Sequence, residues 1–184
     1  MKRTNRPRDL LYWSRRLIWY MWPWTLLGRF TAPVPPGLWL INVCVQRILR
    51  VNGRMPFMVH FTSTVTGKVS IENNVWKSIA ISGGCYIQGG QGIYIGADTL
   101  IAPGVKIISA NHDPHDLATW IAAKPIRIGR RCWIGANAVI LPNVQLGDNV
   151  IVGAGAVVTK SFGAGCTIAG VPARIIKDSR PQLA

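Results

Sequence analysis

Acidic residues are scarce in this sequence. Its 184 residues include 21 Lys and Arg but only 7 Asp and Glu, which gives a formal net charge of +14. Charged residues of both signs make up only 15% of the chain, whereas hydrophobic residues make up 49%. Because so apolar a chain collapses in water, intrinsic disorder is disfavoured and one folded domain with an appendage is expected.

Cysteine is rare as well, and its spacing matches no metal site. The four cysteines lie about 40 residues apart and form no C-x-x-C pair: Cys44, Cys85, Cys132 and Cys166. They are interpreted as reduced core thiols, which predicts a cytoplasmic protein. A secretory signal is not expected, because Arg15 and Arg16 interrupt the apolar stretch that follows the basic start.

No apolar run is long enough to span a membrane. A spanning helix needs about 20 consecutive apolar residues. The stretch 17–28 is too short, and the uncharged stretch 30–46 contains three prolines and a glycine. Neither stretch is predicted to cross a bilayer as a regular helix.

The positive charge is concentrated in residues 1–60. This part has ten Lys and Arg, five of the eight Trp and a single acid, Asp9. Helical spacing from Asp9 to Met21 places an apolar stripe opposite Arg15 and Arg16, and a second helix is predicted over 38–50. Aromatic rings and arginines around an apolar stripe are typical of a helix at a membrane interface, but a contact with the protein's own domain or with another subunit fits equally well. We therefore expect either a peripheral membrane contact or a subunit contact through residues 9–50.

The rest of the chain repeats every six residues. From Ile128 every sixth residue is aliphatic up to Val158, and Ala164 follows in the same frame. A glycine usually comes next, and a second small or aliphatic residue follows four positions after the first. The same frame, or a companion frame from Val69 to Val105, continues back to Val65. Residues 65–112 and 128–169 together hold fifteen such hexads.

A period of six fits a solenoid of short stacked strands rather than a helix or a hairpin. Each aliphatic residue would fill one level of an interior column, and glycine would recur because each corner turns sharply. The chain resembles the hexapeptide-repeat family, and the resemblance implies a left-handed parallel β-helix with three hexads to a coil. Fifteen hexads then give five coils. The predicted organisation is a helical, basic segment 1–60, a β-helix 61–178 and a tail 179–184.

The period fails over 112–127, which predicts a loop extruded from the solenoid. Two of the three histidines of the chain, His112 and His115, lie at its base. Extruded loops carry functional residues more often than the regular coils do. Imidazole, whose unperturbed pKa is about 6.5, can accept a proton at neutral pH, so a general base is predicted here.

The segment L-I-A-P-G-V-K-I-I-S-A-N-H-D-P-H and the later W-I-G-A-N-A-V-I-L-P-N-V and V-G-A-G-A-V-V-T-K resemble O-acetyltransferases of the galactoside, maltose and Nod-factor type. The resemblance implies transfer of acetyl from acetyl-CoA to a sugar or glycan hydroxyl, as in surface polysaccharide biosynthesis. It implies His112 as the general base, with no covalent acyl-enzyme. His115 and Asn111 are the candidates for the acceptor site.

The resemblance also implies a homotrimer with active sites between subunits and acetyl-CoA along the coil edges. The donor contacts carry over to these positions: Trp133, Ala136, Ala154, Thr159, Lys160 and Lys177. Relatives place an acceptor-binding asparagine on an earlier coil, where this chain has Gly83 and Gly84. They also have an acidic N-terminal segment, whereas this one is basic.

Three alternatives remain at this stage. Hexapeptide repeats also build noncatalytic scaffolds, although the loop histidine argues against that role. A zinc site of the γ-carbonic anhydrase kind would need His60, His112 and His115 together, at a spacing that differs from that class, so no metal is expected. The basic charge raises nucleic-acid binding, but no recognition motif accompanies it, and none is expected.

Overall fold

The computed structural model describes residues 33–178. The predicted helix over 9–21 and the tail 179–184 lie outside the described residues. The chain enters through helix α1 (Pro36–Val43), which continues as a π-helical turn (Cys44–Ile48). This confirms the helix predicted over 38–50, with its end two residues earlier. One further short helix, α2 (Val75–Ile81), follows the first strand. None of the helices in residues 33–178 is long and apolar enough to cross a bilayer.

The rest of the fold is built from short strands, most of which pair in parallel. They are β1 (Thr64–Ile71), β2 (Tyr86–Ile95), β3 (Leu100–Ile101), β4 (Lys106–Ile108), β5 (Asn111–His112), β6 (Trp120–Ile121), β7 (Ile126–Ile128), β8 (Trp133–Ile134), β9 (Val139–Ile140), β10 (Gln145–Leu146), β11 (Ile151–Val152), β12 (Val157–Val158), β13 (Cys166–Ala169) and β14 (Arg174–Asp178). Strands β1 and β2 each run around a corner and contribute to two stacks.

Register pairs arrange these strands in three stacks. The first stack has Val65, Ile87, Ile107, Ile140 and Val158 at its centre. The second has Ile71, Ile95, Ile128, Leu146 and Phe162. The third has Ile101, Ile134, Val152 and Ile168 below α2. Three stacks of up to five levels make a parallel β-solenoid of five coils, which confirms the coil count.

Aliphatic side chains fill the interior of the solenoid. Ile134, Ile140 and Ile168 have no exposed surface, and the second small or aliphatic residue of each hexad is buried too, as at Ala138 and Val150. The core is therefore a continuous column whose size is set by the stack residues. Burial of such side chains stabilises the fold by roughly 1.5–3 kcal/mol each.

Two details of the predicted repeat are wrong. In the first coil the third stack begins with helix α2, so Val75 and Ile81 belong to a helix rather than to hexad strands. In the last coil Phe162, not Ala164, lies below Leu146, and Ala164 is exposed. The step from Leu146 to Phe162 is two residues shorter than the usual coil of eighteen.

The corners also differ from the prediction. The residues with positive φ recur every six positions but are mostly not glycine: Arg131, Asn137, Asn143, Asn149 and Gly155. Asparagine tolerates this backbone region because its short side chain bonds locally. The glycine that follows the aliphatic residue of a hexad is needed for close packing between coils. A Cβ on Gly129 would lie 2.5 Å from the carbonyl carbon of Gly147 in the next coil, so glycine allows the coils to stack closely.

Candidate active site

The interruption of the repeat forms a β-hairpin at the corner between the first and second stacks. Strands β5 and β6 pair antiparallel, with Asn111 opposite Ile121 and His112 opposite Trp120. The hairpin leaves the solenoid after β4 and returns at β7, in the third coil. This confirms the extruded loop predicted from the failed period.

Buried polar groups hold the hairpin at its base. Ser109 is fully buried, and its hydroxyl donates to the carbonyl of Gln88 at 2.9 Å and accepts from the amide of Gln91 at 2.9 Å. The Gln88 side-chain oxygen accepts from the amide of Ala110 at 3.2 Å. These bonds join the start of the hairpin to the preceding coil, so its first residues are held in place.

Two carboxylates brace the tip of the hairpin. The Asp113 carboxylate accepts from the amide of His115 at 2.8 Å, and the Asp116 carboxylate accepts from the amide of Ala118 at 3.0 Å. Both acids therefore stabilise turns, as aspartates commonly do. His115 contributes its backbone to this turn and has an exposed side chain, as does Asn111 in the strand before it.

The His112 imidazole is oriented by its own loop. Its Nδ1 lies 2.6 Å from the main-chain carbonyl oxygen of Leu117. Since a carbonyl can only accept a hydrogen bond, Nδ1 must carry the proton, and the neutral ring has its lone pair on Nε2. A ring held in this tautomer presents Nε2 as a base to a molecule at the hairpin surface.

Trp120 supports the other side of the imidazole. The two rings meet edge to face, with centroids 6.2 Å apart and an interplanar angle of 87°. Sequence reasoning did not identify Trp120 or the carbonyl of Leu117 as part of the site. Strands β5 and β6 have only two residues each, so no alternating pattern in the sequence reveals that they pair. The acceptor at Leu117 is a main-chain carbonyl, which every residue has, so its role cannot be recognised from the residue type.

The predicted donor contacts fall into two places on one chain. Thr159 and Lys160 lie at the same corner as the hairpin, two coils further on and so roughly 10 Å along the axis. Ala136 and Ala154 lie in consecutive coils at the corner between the third and first stacks, where Gly155 N donates to Ala136 O at 2.8 Å.

Trp133 and Lys177 lie on the third stack, apart from the hairpin corner. Trp133 is 54% exposed between Leu100 and Ile151, and Lys177 pairs in register with Thr167. On one chain, therefore, Thr159 and Lys160 share the corner of the hairpin at a distance of two coils, whereas Trp133, Ala136, Ala154 and Lys177 lie on other parts of the solenoid.

His60 does not join the other two histidines. It stacks on Phe61 with ring centroids 4.6 Å apart, its Nδ1 is 2.9 Å from the Thr62 hydroxyl, and its amide bonds to Ile79 O before the first coil is complete. Partial burial lowers its pKa. Within residues 33–178, no group of three His, Cys, Asp or Glu could hold a metal ion. The geometry therefore gives the zinc alternative no ligand set.

Three of the four thiols lie in the interior column. Cys85, Cys132 and Cys166 are buried, and burial raises the pKa of Cys85 and of Cys132. A buried neutral thiol is a poor nucleophile. This placement confirms these three as core thiols, whereas the prediction is wrong for Cys44, which is partly exposed in the π-helical turn.

A shallow groove of about 380 Å³ on the second stack is separate from the hairpin. Along its floor the Arg127 guanidinium lies over the Tyr94 ring at 4.5 Å. At its end the Glu72 carboxylate is 3.4 Å from Arg130 and accepts from the amide of Ala97. Its charged groups thus bond to one another and to the backbone of the corners.

Comparison with known proteins identifies the fold and the repeats. The family described as bacterial transferase hexapeptide (six repeats) matches residues 125–160. The putative lipopolysaccharide biosynthesis O-acetyl transferase WbbJ of Escherichia coli is 33% identical in an alignment of 150 residues, and the match covers 70% of this chain and 74% of that protein.

Two further relatives match over shorter parts. The galactoside O-acetyltransferase of Escherichia coli is 39% identical over 47% of this chain, which spans only 44% of that protein's length. The crystal structure of a hexapeptide-repeat acetyltransferase from Vibrio cholerae, VCA0836, has a TM-score of 0.51 and 27% identity, and covers 66% of this chain and 65% of its own. The similarity to WbbJ covers more than two thirds of both proteins. The chain therefore belongs to the hexapeptide-repeat acetyltransferase family, which confirms the resemblance drawn from its repeats and the expectation of an enzyme.

Proposed function

We propose that this protein transfers an acetyl group from acetyl-CoA to a hydroxyl of a sugar, within the biosynthesis of a surface glycan. The names of its relatives support this class, since one is a lipopolysaccharide O-acetyltransferase and another acts on galactosides. The single observation that carries the chemistry is the hydrogen bond from His112 Nδ1 to Leu117 O.

In the proposed reaction His112 acts at Nε2. As the acceptor hydroxyl attacks the thioester carbonyl, Nε2 takes its proton and a tetrahedral oxyanion forms. The carbon–sulfur bond then breaks, and the CoA thiolate leaves and takes the proton from the imidazolium. The products are an acetyl ester and CoA, and His112 returns to its starting tautomer. A base of this kind contributes typically ~10²- to 10⁴-fold.

Direct transfer is supported by the placement of the thiols. A covalent acyl-enzyme would require an accessible, activated nucleophile close to the base. Cys85, Cys132 and Cys166 are buried, and Cys44 lies in the π-helical turn before the first coil. None of these sulfurs lies in the hairpin. We therefore assign the attack on the thioester to the acceptor itself.

The donor site is proposed to form between subunits of a homotrimer of left-handed β-helices. Lys160, two coils from the hairpin at the same corner, would face Trp133, Ala136, Ala154 and Lys177 of a neighbour. Exposed apolar side chains at the hairpin support such a partner: Leu117 is 72% exposed and Ile121 is 46% exposed. Asn111 and His115 would contact the acceptor. The trimer and a cytoplasmic location remain predictions.

A screen of sugar acceptors with acetyl-CoA tests this function. Release of CoA thiol would be followed with a thiol reagent, and the acetylated product would be exposed to alkaline hydroxylamine. Thiol release that needs a sugar, with a product cleaved by hydroxylamine, is expected for an ester. A hydroxylamine-resistant product would mean transfer to an amine. No sugar-dependent thiol release across hexoses, amino sugars and nucleotide sugars would contradict the proposal.

A further inference from the structure

The helical turns before the solenoid bury polar side chains and expose apolar ones. Asn42 is fully buried and Gln46 is 3% exposed, although both side chains are polar, and Trp39 is buried with them. Four apolar side chains face outwards: Leu40 is 50% exposed, Ile41 46%, Ile48 73% and Leu49 67%. We call these four residues the outer face. Clustered apolar exposure of this kind marks an interaction site more often than a free surface.

The buried amides determine this orientation. Asn42 Nδ2 donates to Ala80 O at 2.9 Å, and its Oδ1 accepts from Phe61 N at 2.9 Å. Gln46 Nε2 donates to Phe57 O at 2.8 Å, and its Oε1 accepts from Val59 N. Turning the outer face inwards would leave both amides without partners. The outer face is therefore exposed as part of a well-defined structure.

Helical spacing brings members of the outer face to one side. Ile48 follows Ile41 by seven residues and Leu49 follows it by eight, and residues at these spacings lie on one face of a helix. The π-helical turn ends this face, with Leu49 N bonded to Cys44 O five residues back at 3.2 Å.

Positive charge surrounds the outer face. Arg50 and Arg54 follow the outer face within one short segment and are exposed, and the sequence contains no Asp or Glu between Asp9 and Glu72. Glu72 itself bonds to Arg130 in a corner of the solenoid. The apolar residues are therefore flanked by arginines without a compensating acid nearby in sequence, a combination that anionic lipid headgroups complement.

We propose that the outer face and its arginines bind the surface of an anionic membrane. Apolar side chains would enter the headgroup layer while Arg50 and Arg54 meet lipid phosphates.

Two other occupants of the outer face are less compatible with its positive charge. Residues 1–32 carry seven Lys and Arg and one acid, and a second copy would oppose the same arginines, so either would bring like charges together. This proposal goes beyond the proposed acetyl transfer and does not depend on it.

Flotation of the full-length protein with lipid vesicles tests the proposal. Vesicles of phosphatidylcholine with phosphatidylserine are expected to carry the protein upwards, and pure phosphatidylcholine to do so much less. The double variant I48S/L49S should reduce binding to the anionic vesicles by at least about tenfold, since two apolar contacts are lost. The control I175S/I176S, which alters two exposed residues of β14, should float like the wild type.

A charge variant tests the contribution of the arginines without altering the apolar contacts. In R50N/R54Q, asparagine tolerates the positive φ of 63° at position 50. This variant should lose binding and most of its salt dependence. Unchanged flotation of both double variants, or equal binding to neutral and anionic vesicles, would overturn the proposal. A wild-type protein that does not float, with I48S/L49S lowering the mass of its oligomer, would instead identify a subunit interface.

Discussion

Trp120 packs over Gly90, on the strand of the preceding coil. A Cβ built on Gly90 would lie 2.7 Å from Cζ3 of the indole and 3.1 Å from the Ala110 side chain. The same indole meets the His112 ring edge to face. The absence of a side chain at Gly90 therefore allows the hairpin to approach the solenoid at the point where it carries the candidate base.

Gly90→Ala is the first prediction. The new methyl group would force Trp120 outwards and shift the imidazole, and a displacement of about 1 Å can reduce turnover by up to ~10²-fold. We expect kcat to fall by about 10- to 100-fold while KM for acetyl-CoA changes little. Gly37→Ala is the matched control, because a Cβ there meets nothing within 4 Å. A fall in kcat of equal size in both variants would contradict this positioning role.

His112→Ala should reduce turnover by at least ~10²-fold, because it removes the proton acceptor. Acetyl-CoA binding, measured by calorimetry, should persist, since the predicted donor contacts are elsewhere. His60→Gln provides a control for the loss of a histidine and should keep most of the activity. Near-normal turnover in His112→Ala would refute its role as base.

The pH dependence of stability should include a contribution from His60. Burial lowers its pKa in the folded state, so the unfolded chain binds more protons between the folded value and about 6.5. The free energy of unfolding from this group therefore falls as the pH decreases from about 7 through that window. Urea unfolding at about pH 7.5 and pH 5 should show a smaller loss of stability in His60→Gln than in the wild type. An unchanged or steeper loss in the variant would show that this group does not contribute.

Ile134→Ala should destabilise the fold strongly. Ile134 is fully buried in the middle of the third stack, and truncation of such a residue typically costs about 2–5 kcal/mol. The matched control, Ile176→Ala, alters a residue that is 67% exposed and should change the free energy of unfolding by less than about 0.5 kcal/mol. Denaturant unfolding measures both. Similar values for the two variants would mean that the interior column does not carry the stability.

The repeat could be predicted from the sequence because it depends on local, periodic requirements. Every interior level needs an apolar residue, so Ile128 to Val158 reveal the coils without any knowledge of their neighbours. The extruded hairpin and His112 could also be predicted, because they interrupt that period. The exceptions, helix α2 and the substitution of Phe162 for Ala164, occur in the first and last coils, where a coil packs against only one neighbour.

The position of each functional group depended on contacts between residues that are distant in sequence. The packing of Trp120 over Gly90 and the bond of Asn42 to Ala80 join residues 30 and 38 positions apart, and the bonds of Gln46 to Phe57 and Val59 join residues 11 and 13 positions apart. The periodicity of the sequence does not reveal such contacts. By itself the sequence determined a five-coil solenoid with a histidine-bearing loop. Only the tertiary structure decided which nitrogen of His112 is free and which surface of the first helix faces outwards, because both depend on the partner that each polar group finds in the fold.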